Sequence, residues 1–118
     1  MLSALPFNRV YLACGHTDMR KSIDGLAAMV IHSFELDPFS PALFVFCNRS
    51  RDRLKILFWD HNGFWLFYRR LERGRFQWPS ESDGTTQLVS PRQLQWLLDG
   101  LSLEQPQAHR PVLARTVV

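Results

Sequence analysis

The segment from Leu54 to Pro79, LKILFWDHNGFWLFYRRLERGRFQWP, constrains the fold of this chain more than any other stretch. Asn62-Gly63 lies between two runs of β-branched and aromatic residues, and a two-residue type I′ turn favours this dipeptide because both central residues need positive φ. A hairpin closed there sets Asp60 opposite Trp65, Phe58 opposite Phe67, Ile56 opposite Arg69 and Leu54 opposite Leu71, and residues opposite each other share a face. A four-residue loop keeps that parity, whereas a three-residue loop exchanges the faces of one strand. A second turn at Arg73-Gly74 extends the pattern, with Leu71 beside Phe76 and Arg69 beside Trp78. One face then carries Leu54, Ile56, Phe58, Trp65, Phe67, Leu71, Phe76 and Trp78. The other carries Arg53, Lys55, Leu57, Trp59, Leu66, Tyr68, Arg70, Glu72, Arg75 and Gln77, so it is basic at one end and aromatic at the other.

Charge is concentrated in the same region. The net charge is only +3, yet from Arg49 to Arg75 eight basic residues stand against three acids, a local +5 that leaves the remainder at about −2. Twelve of the fourteen basic side chains are arginine, whose planar fork suits phosphate and carboxylate. At 118 residues the chain has the length of one domain, and 21% charged with 46% hydrophobic residues is an ordinary globular balance. Cys14 and Cys47 lie in apolar, strand-like runs, which suits small buried hydrophobes in a reducing compartment better than a disulfide framework. The amino-terminal MLSALPFNRV lacks the basic start and long apolar centre of a signal peptide, and no apolar run is long enough to span a membrane. A cytoplasmic location is expected.

Around the hairpins, Val10 to Cys14 reads as a short buried strand, and Gly15-His16-Thr17 turns the chain into a helix with Thr17 as N-cap. Met19, Ile23, Leu26, Ala27, Val30 and Phe34 recur at helical spacing. Gly25 within that stripe costs about 1 kcal/mol relative to alanine, which points to close packing or a kink. Ala42 to Asn48 is the next strand, followed by the polar turn Arg49 to Asp52. Ser80 to Thr86 reads as a loop. Ser90-Pro91-Arg92-Gln93 combines an N-cap serine, proline at the first helical position and a capping-box glutamine, and Gly100 supplies a stop. The expected architecture is a single α+β domain over residues 1–103: an antiparallel meander of about four to five strands from Ala42 to Pro79, joined by the Val10 strand, with two helices packed on it. A flexible tail is expected over 104–118.

The chemistry this permits is binding more than catalysis. Arginines at the basic end of the second face, with Trp59 or Tyr68 available to stack on a base, match the chemistry of nucleic-acid contact surfaces. The competing expectation is that a helix buries the aromatic end, a reading strengthened if Phe44 and Phe46 join that face. Arg20 and Lys21 at the expected helix start oppose the macrodipole and suggest an anion site, unless Asp18 and Asp24 neutralise them locally. His16, His32, His61 and His109 are scattered, so no metal site is expected. Asp52, Asp60 and Glu72 flank the hairpins but read as ion-pair partners, and no serine or cysteine has an activating context.

Three ordered stretches, YLACGHTDMRKSIDGLA from Tyr11 to Ala27, LDPFS from Leu36 to Ser40 and the hairpin segment itself, are together similar to the second-open-reading-frame accessory proteins (TnpB) of insertion sequence 66 type bacterial transposons. The resemblance runs from about residue 8 to Leu103 and is carried notably by Cys14, Gly15, Thr17, Asp18, Met19, Arg20, Lys21, Asp24, Gly25 and Leu26. His16 and Ser22 stand where many members have proline and glycine. The resemblance implies a role in transposition beside a separate acidic-triad transposase and supplies no catalytic residues to carry over, the family's molecular activity not being established; no cofactor is expected, and the family is distinct from the RNA-guided nuclease that shares the name. The expectation is therefore a non-catalytic accessory factor contacting DNA, the partner transposase, or both. Arg53, Lys55, Arg70 and Arg75 are the first candidates for phosphate contact and Arg20 and Lys21 the second. The alternative is a module that docks the transposase through Trp59 and Tyr68 without touching DNA.

Overall fold

The computed structural model describes Leu2 and residues 5–105. Along them run β1 (Arg9–Ala13), α1 (Ile23–His32), β2 (Ala42–Cys47), β3 (Arg53–Asp60), β4 (Gly63–Arg70), β5 (Thr86–Val89) and α2 (Pro91–Leu98). Of the tail expected over 104–118, residues 106–118 lie outside the described part.

The strands form one sheet in the order β4-β3-β2-β1-β5. The expected meander holds for β2, β3 and β4, which pair antiparallel in sequence order. The sheet as a whole is mixed, because β1 joins β2 in parallel, Val10 beside Leu43 and Leu12 beside Val45. Parallel neighbours need a crossover, and α1 provides it. All six residues of β2 are buried, as a central strand covered on both faces requires.

The first face carries Val10, Leu12, Leu43, Val45, Leu54, Ile56 and Phe58 together with Phe76, Trp78 and, from α2, Leu94 and Leu97. The second face carries Ala13, Phe44, Phe46 and Leu57 beneath Leu26 and Val30 of α1, with Phe64 and Leu66 at the edge. The two helices thus cover opposite faces. Full burial of each large apolar side chain is worth about 1.5–3 kcal/mol, so the first face, with the larger set of buried side chains, contributes more to stability. The parity read from the hairpin places Leu54, Ile56, Phe58, Leu57 and Leu66 on their observed faces.

Four local expectations need correction. The β3–β4 ladder pairs Asp60 with Gly63, Phe58 with Trp65 and Ile56 with Phe67, two residues out of the expected register, so the loop is His61-Asn62. His61 takes the positive φ of 59° and the Asn62 N–H donates to the Asp60 carbonyl at 2.6 Å, a three-residue turn at the tip. A shift of two preserves the faces, which is why the parity survived.

The second expected hairpin is absent. Gly74 does turn with φ 77°, but the Leu71 N–H donates to the Asp52 carbonyl and the Phe76 N–H to the Arg51 carbonyl. Those bonds draw the chain across the end of the sheet, where Phe76 and Trp78 plug the first core and the Trp78 Nε1 donates to the Ala13 carbonyl at 2.8 Å.

Helix α1 begins at Ile23 with Ser22 as N-cap, not at Thr17. Thr17 is buried and its N–H donates to the Cys47 carbonyl at 2.7 Å, so a contact to β2 holds it outside the helix. Finally, Thr86–Val89, read as the end of a loop and an unassigned stretch, forms the edge strand β5 against β1. Helix α2 matches expectation: the Ser90 hydroxyl accepts from the Gln93 N–H at 3.0 Å, the Gln93 side chain accepts from the Ser90 N–H, and Gly100 turns the chain with φ 81°.

Both cysteines are free, Cys47 buried and Cys14 partly so. Burial pushes the Cys47 thiol up to about 12 and raises that of Cys14, with the Asp83 charge adding to the rise at Cys14. Among the described residues no helix is long and apolar enough to cross a membrane.

Candidate nucleic-acid interface

The second sheet face divides along the strands. In the β3–β4 register Arg53 faces Arg70, Lys55 faces Tyr68, Leu57 faces Leu66 and Trp59 faces Phe64. Leu57 and Leu66 pack beneath α1, and beyond them toward the hairpin tip Trp59 sits in an aromatic corner. Its ring is 4.9 Å from Phe39 and 5.0 Å from Phe64, both edge-on. At the other end, Arg53, Lys55, Tyr68 and Arg70 form a basic patch in which Tyr68 is 55% exposed. Trp59 and Tyr68 therefore do not act as one platform; they lie about 13 Å apart along the strand direction, and only Tyr68 accompanies the arginines.

Within the patch the basic side chains differ in what holds them. Arg70 is paired with Glu72, its Nε donating to the carboxylate at 2.9 Å, and this contact raises the guanidinium pKa. Arg53 is exposed and has no carboxylate partner among the described residues. Lys55 is committed to backbone: its Nζ donates to the carbonyls of Met19 and Lys21, each at 2.7 Å. That ammonium pins the turn before α1 onto the sheet and carries Arg20 and Lys21 toward the patch, so they share a neighbourhood with Arg53, Lys55 and Arg70. Arg20 grips Asp18, with Nε and Nη2 reaching the two carboxylate oxygens, and these hydrogen bonds hold the Asp18 carboxyl at about 2. Local neutralisation by Asp18 thus occurs as the sequence suggested. With α1 starting at Ile23, neither cation stands in a helical first turn. A Cβ at Gly25 would make only an ordinary contact with the Lys21 side chain at 3.4 Å, so the close packing expected at this glycine is not what calls for it.

Strand parity extended beyond Arg73-Gly74 puts Arg75 on the second face, and the structure does not. With no strand there, it is exposed on the crossing segment, next to Phe76, whose N–H reaches the Arg51 carbonyl at 2.6 Å.

A second polar region lay beyond the reach of the sequence. A cleft of about 420 Å³ opens at the carboxyl ends of the parallel strands β1 and β2, lined by Gly15, His16, Asn48, Arg49, Arg51 and the 78–82 segment. The Arg49 guanidinium lies 3.2 Å from the His16 Nε2. Gly15 has φ 75°, and a Cβ there would run into the Glu81 side chain, so a larger residue would be strained in this turn. Crevices at such strand ends are common ligand positions in sheets with parallel neighbours. Knowing that β1 and β2 are parallel was the missing signal.

Comparison with known proteins gives a consistent result. A family-wide sequence model described as IS66 Orf2-like protein matches residues 8–108. The chain is similar to the uncharacterized protein y4hO of Sinorhizobium fredii, 46% identical over 99 residues that span 84% of this chain and 85% of the relative. It is also similar to the uncharacterized protein y4jC of the same organism, 34% identical over 93 residues spanning 79% of each. No solved structure gives a significant match.

Proposed function

The chain belongs to the IS66 Orf2-like family, which is associated with transposition, and from that premise we propose a non-enzymatic accessory factor that contacts DNA phosphates through the basic end of its second sheet face. The observation that carries the reading is the Arg53–Arg70 pair, two like charges placed directly opposite each other on an exposed patch. Such a pair costs stability, roughly 0.2–1 kcal/mol, and a polyanion bridging both guanidiniums offsets that cost. Arg20 and Lys21 extend the patch, and Tyr68 offers a ring for stacking. In this reading the protein works in the cytoplasm alongside its element's DNA, with the partner transposase as a second contact.

Salt dependence is the direct test. On duplex DNA the log affinity falls with log salt by about 0.9 per phosphate neutralised, so replacing both Arg53 and Arg70 with alanine should flatten the slope by about 2. An unchanged slope rejects phosphate contact at this patch. Docking to the transposase has its own support in the aromatic corner, where Phe39 is 55% exposed although it packs on Trp59 and Phe64. Retained transposase capture by a Phe39→Ala, Trp59→Ala double variant would remove that corner from consideration.

A further inference from the structure

We propose that β4 is a homodimerisation edge, pairing antiparallel with β4 of a second copy about a two-fold axis through Leu66, perpendicular to the sheet. This inference does not depend on DNA contact.

Among the described residues, strand β4 has β3 on one side and no strand on the other. It is eight residues long, twice the length of the opposite edge strand β5. Its ladder with β3 runs without a bulge from Arg53–Arg70 to Asp60–Gly63, and Gly63 to Tyr68 contains no charge and no proline. Sheet edges are normally blunted by lysine, proline, bulges or shortness. None of these devices protects the first six residues of β4. On the contrary, Trp65 is 52% and Tyr68 55% exposed, and Trp65 stacks on Phe67 at 5.9 Å, leaving an aromatic ridge along the edge.

The pattern of side chains identifies the occupant as a second copy. With the axis at Leu66, opposite residues keep their faces: Leu66 meets Leu66, Phe64 meets Tyr68 and Trp65 meets Phe67, each an apolar or aromatic cross-strand pair. The arginines separate to opposite ends of the interface, whereas a parallel arrangement would set them side by side. Arg69 then falls opposite Gly63 of the other copy. Next to Gly63, on the same face of β3, stands Asp60. Gly63 has no positive φ, and a Cβ there would meet no atom within 4 Å, so neither its own backbone nor its neighbours call for glycine. A glycine there leaves a gap across which Arg69 of the second copy reaches the Asp60 carboxylate. Arg69 has no carboxylate partner within the described part of its own chain, and Asp60 holds only the Trp65 Nε1 at 3.3 Å. Because the interface is isologous, each contact off the axis, the Arg69–Asp60 pair included, occurs twice.

The test is the mass of the full chain in solution as a function of concentration, with three variants. The wild type should associate to twice 13.8 kDa. In a Cys14→Ser background, Leu66→Cys should form an intermolecular disulfide on oxidation, since opposite residues in an antiparallel pair lie about 4.5–5.5 Å apart at Cα, within disulfide reach. Arg69→Asp and Asp60→Arg should each weaken association by about tenfold, as expected from losing two surface ion pairs. Combining them should restore it, which a folding defect would not do. A monomer at every concentration overturns the proposal. So does a dimer that fails to cross-link through Leu66→Cys and ignores the charge reversals.

Discussion

Arg53 on β3 and Arg70 on β4 stand directly opposite each other at the end of the ladder farthest from the hairpin tip. Arg70 has Glu72 at 2.9 Å, while Arg53 has no counter-charge among the described residues. The repulsion is thus relieved on one side only, and the free guanidinium faces solvent beside Tyr68.

Arg53→Glu converts this repulsion into an attraction. The variant should be more stable than the wild type by roughly 0.2–1 kcal/mol, because opposite-charge cross-strand pairs stabilise by that order, and it should bind DNA less well. Urea unfolding and fluorescence anisotropy on the same samples measure both effects. A less stable variant would mean that the two arginines do not repel measurably.

Lys55→Met should destabilise the fold by about 1–3 kcal/mol, the usual worth of hydrogen bonds made by a charged group. The loss is expected to localise. Amides of the turn before α1, which the Lys55 Nζ ties down through the Met19 and Lys21 carbonyls, should exchange with solvent faster than those of β2. Uniform acceleration across the sheet would contradict the anchoring role.

Trp78→Phe keeps an aromatic plug in the first core but deletes the Nε1 donor to the Ala13 carbonyl. That carbonyl is buried, so the cost should be about 1–3 kcal/mol. Urea unfolding measures the loss, and a variant as stable as the wild type would mean that the Ala13 carbonyl does not depend on the indole N–H.

The two thiols should differ in reactivity. Only the thiolate attacks a disulfide reagent, and burial raises the thiol pKa of Cys47 to about 12. At pH 8 in the native protein Cys47 should be inert, Cys14 should react slowly, and both should react promptly after denaturation. Rapid labelling of Cys47 without denaturant would show that the first core opens readily.

Much of this fold was legible from local chemistry. Strand parity placed Leu54, Ile56 and Phe58 on one face and Leu57 and Leu66 on the other, because a register error of two residues leaves the faces intact. Ser90, Pro91 and Gln93 announced α2 through capping bonds confined to four residues. The errors arose where a distant partner won. Thr17 looked like an N-cap, but its N–H bonds to Cys47. The 71–78 segment looked like a strand, but its N–H groups at Leu71 and Phe76 bond to the β2–β3 loop. The four residues of β5 carried too short a pattern to be recognised, with polar Gln87 and exposed Leu88 among them.

The candidate site shows the same division. That Arg53, Lys55, Tyr68 and Arg70 share a face follows from alternation along two strands, which the chain specifies residue by residue. That Trp59 belongs to a separate aromatic corner, that Lys55 is spent on holding the turn at Met19 and Lys21, and that this turn brings Arg20 and Lys21 beside the patch are matters of tertiary packing. Local sequence determined the faces because side-chain direction in a strand depends only on parity. Partners 34 and 36 residues apart along the chain were settled by how the β1–α1–β2 crossover lays its turns against the meander, which no local pattern encodes.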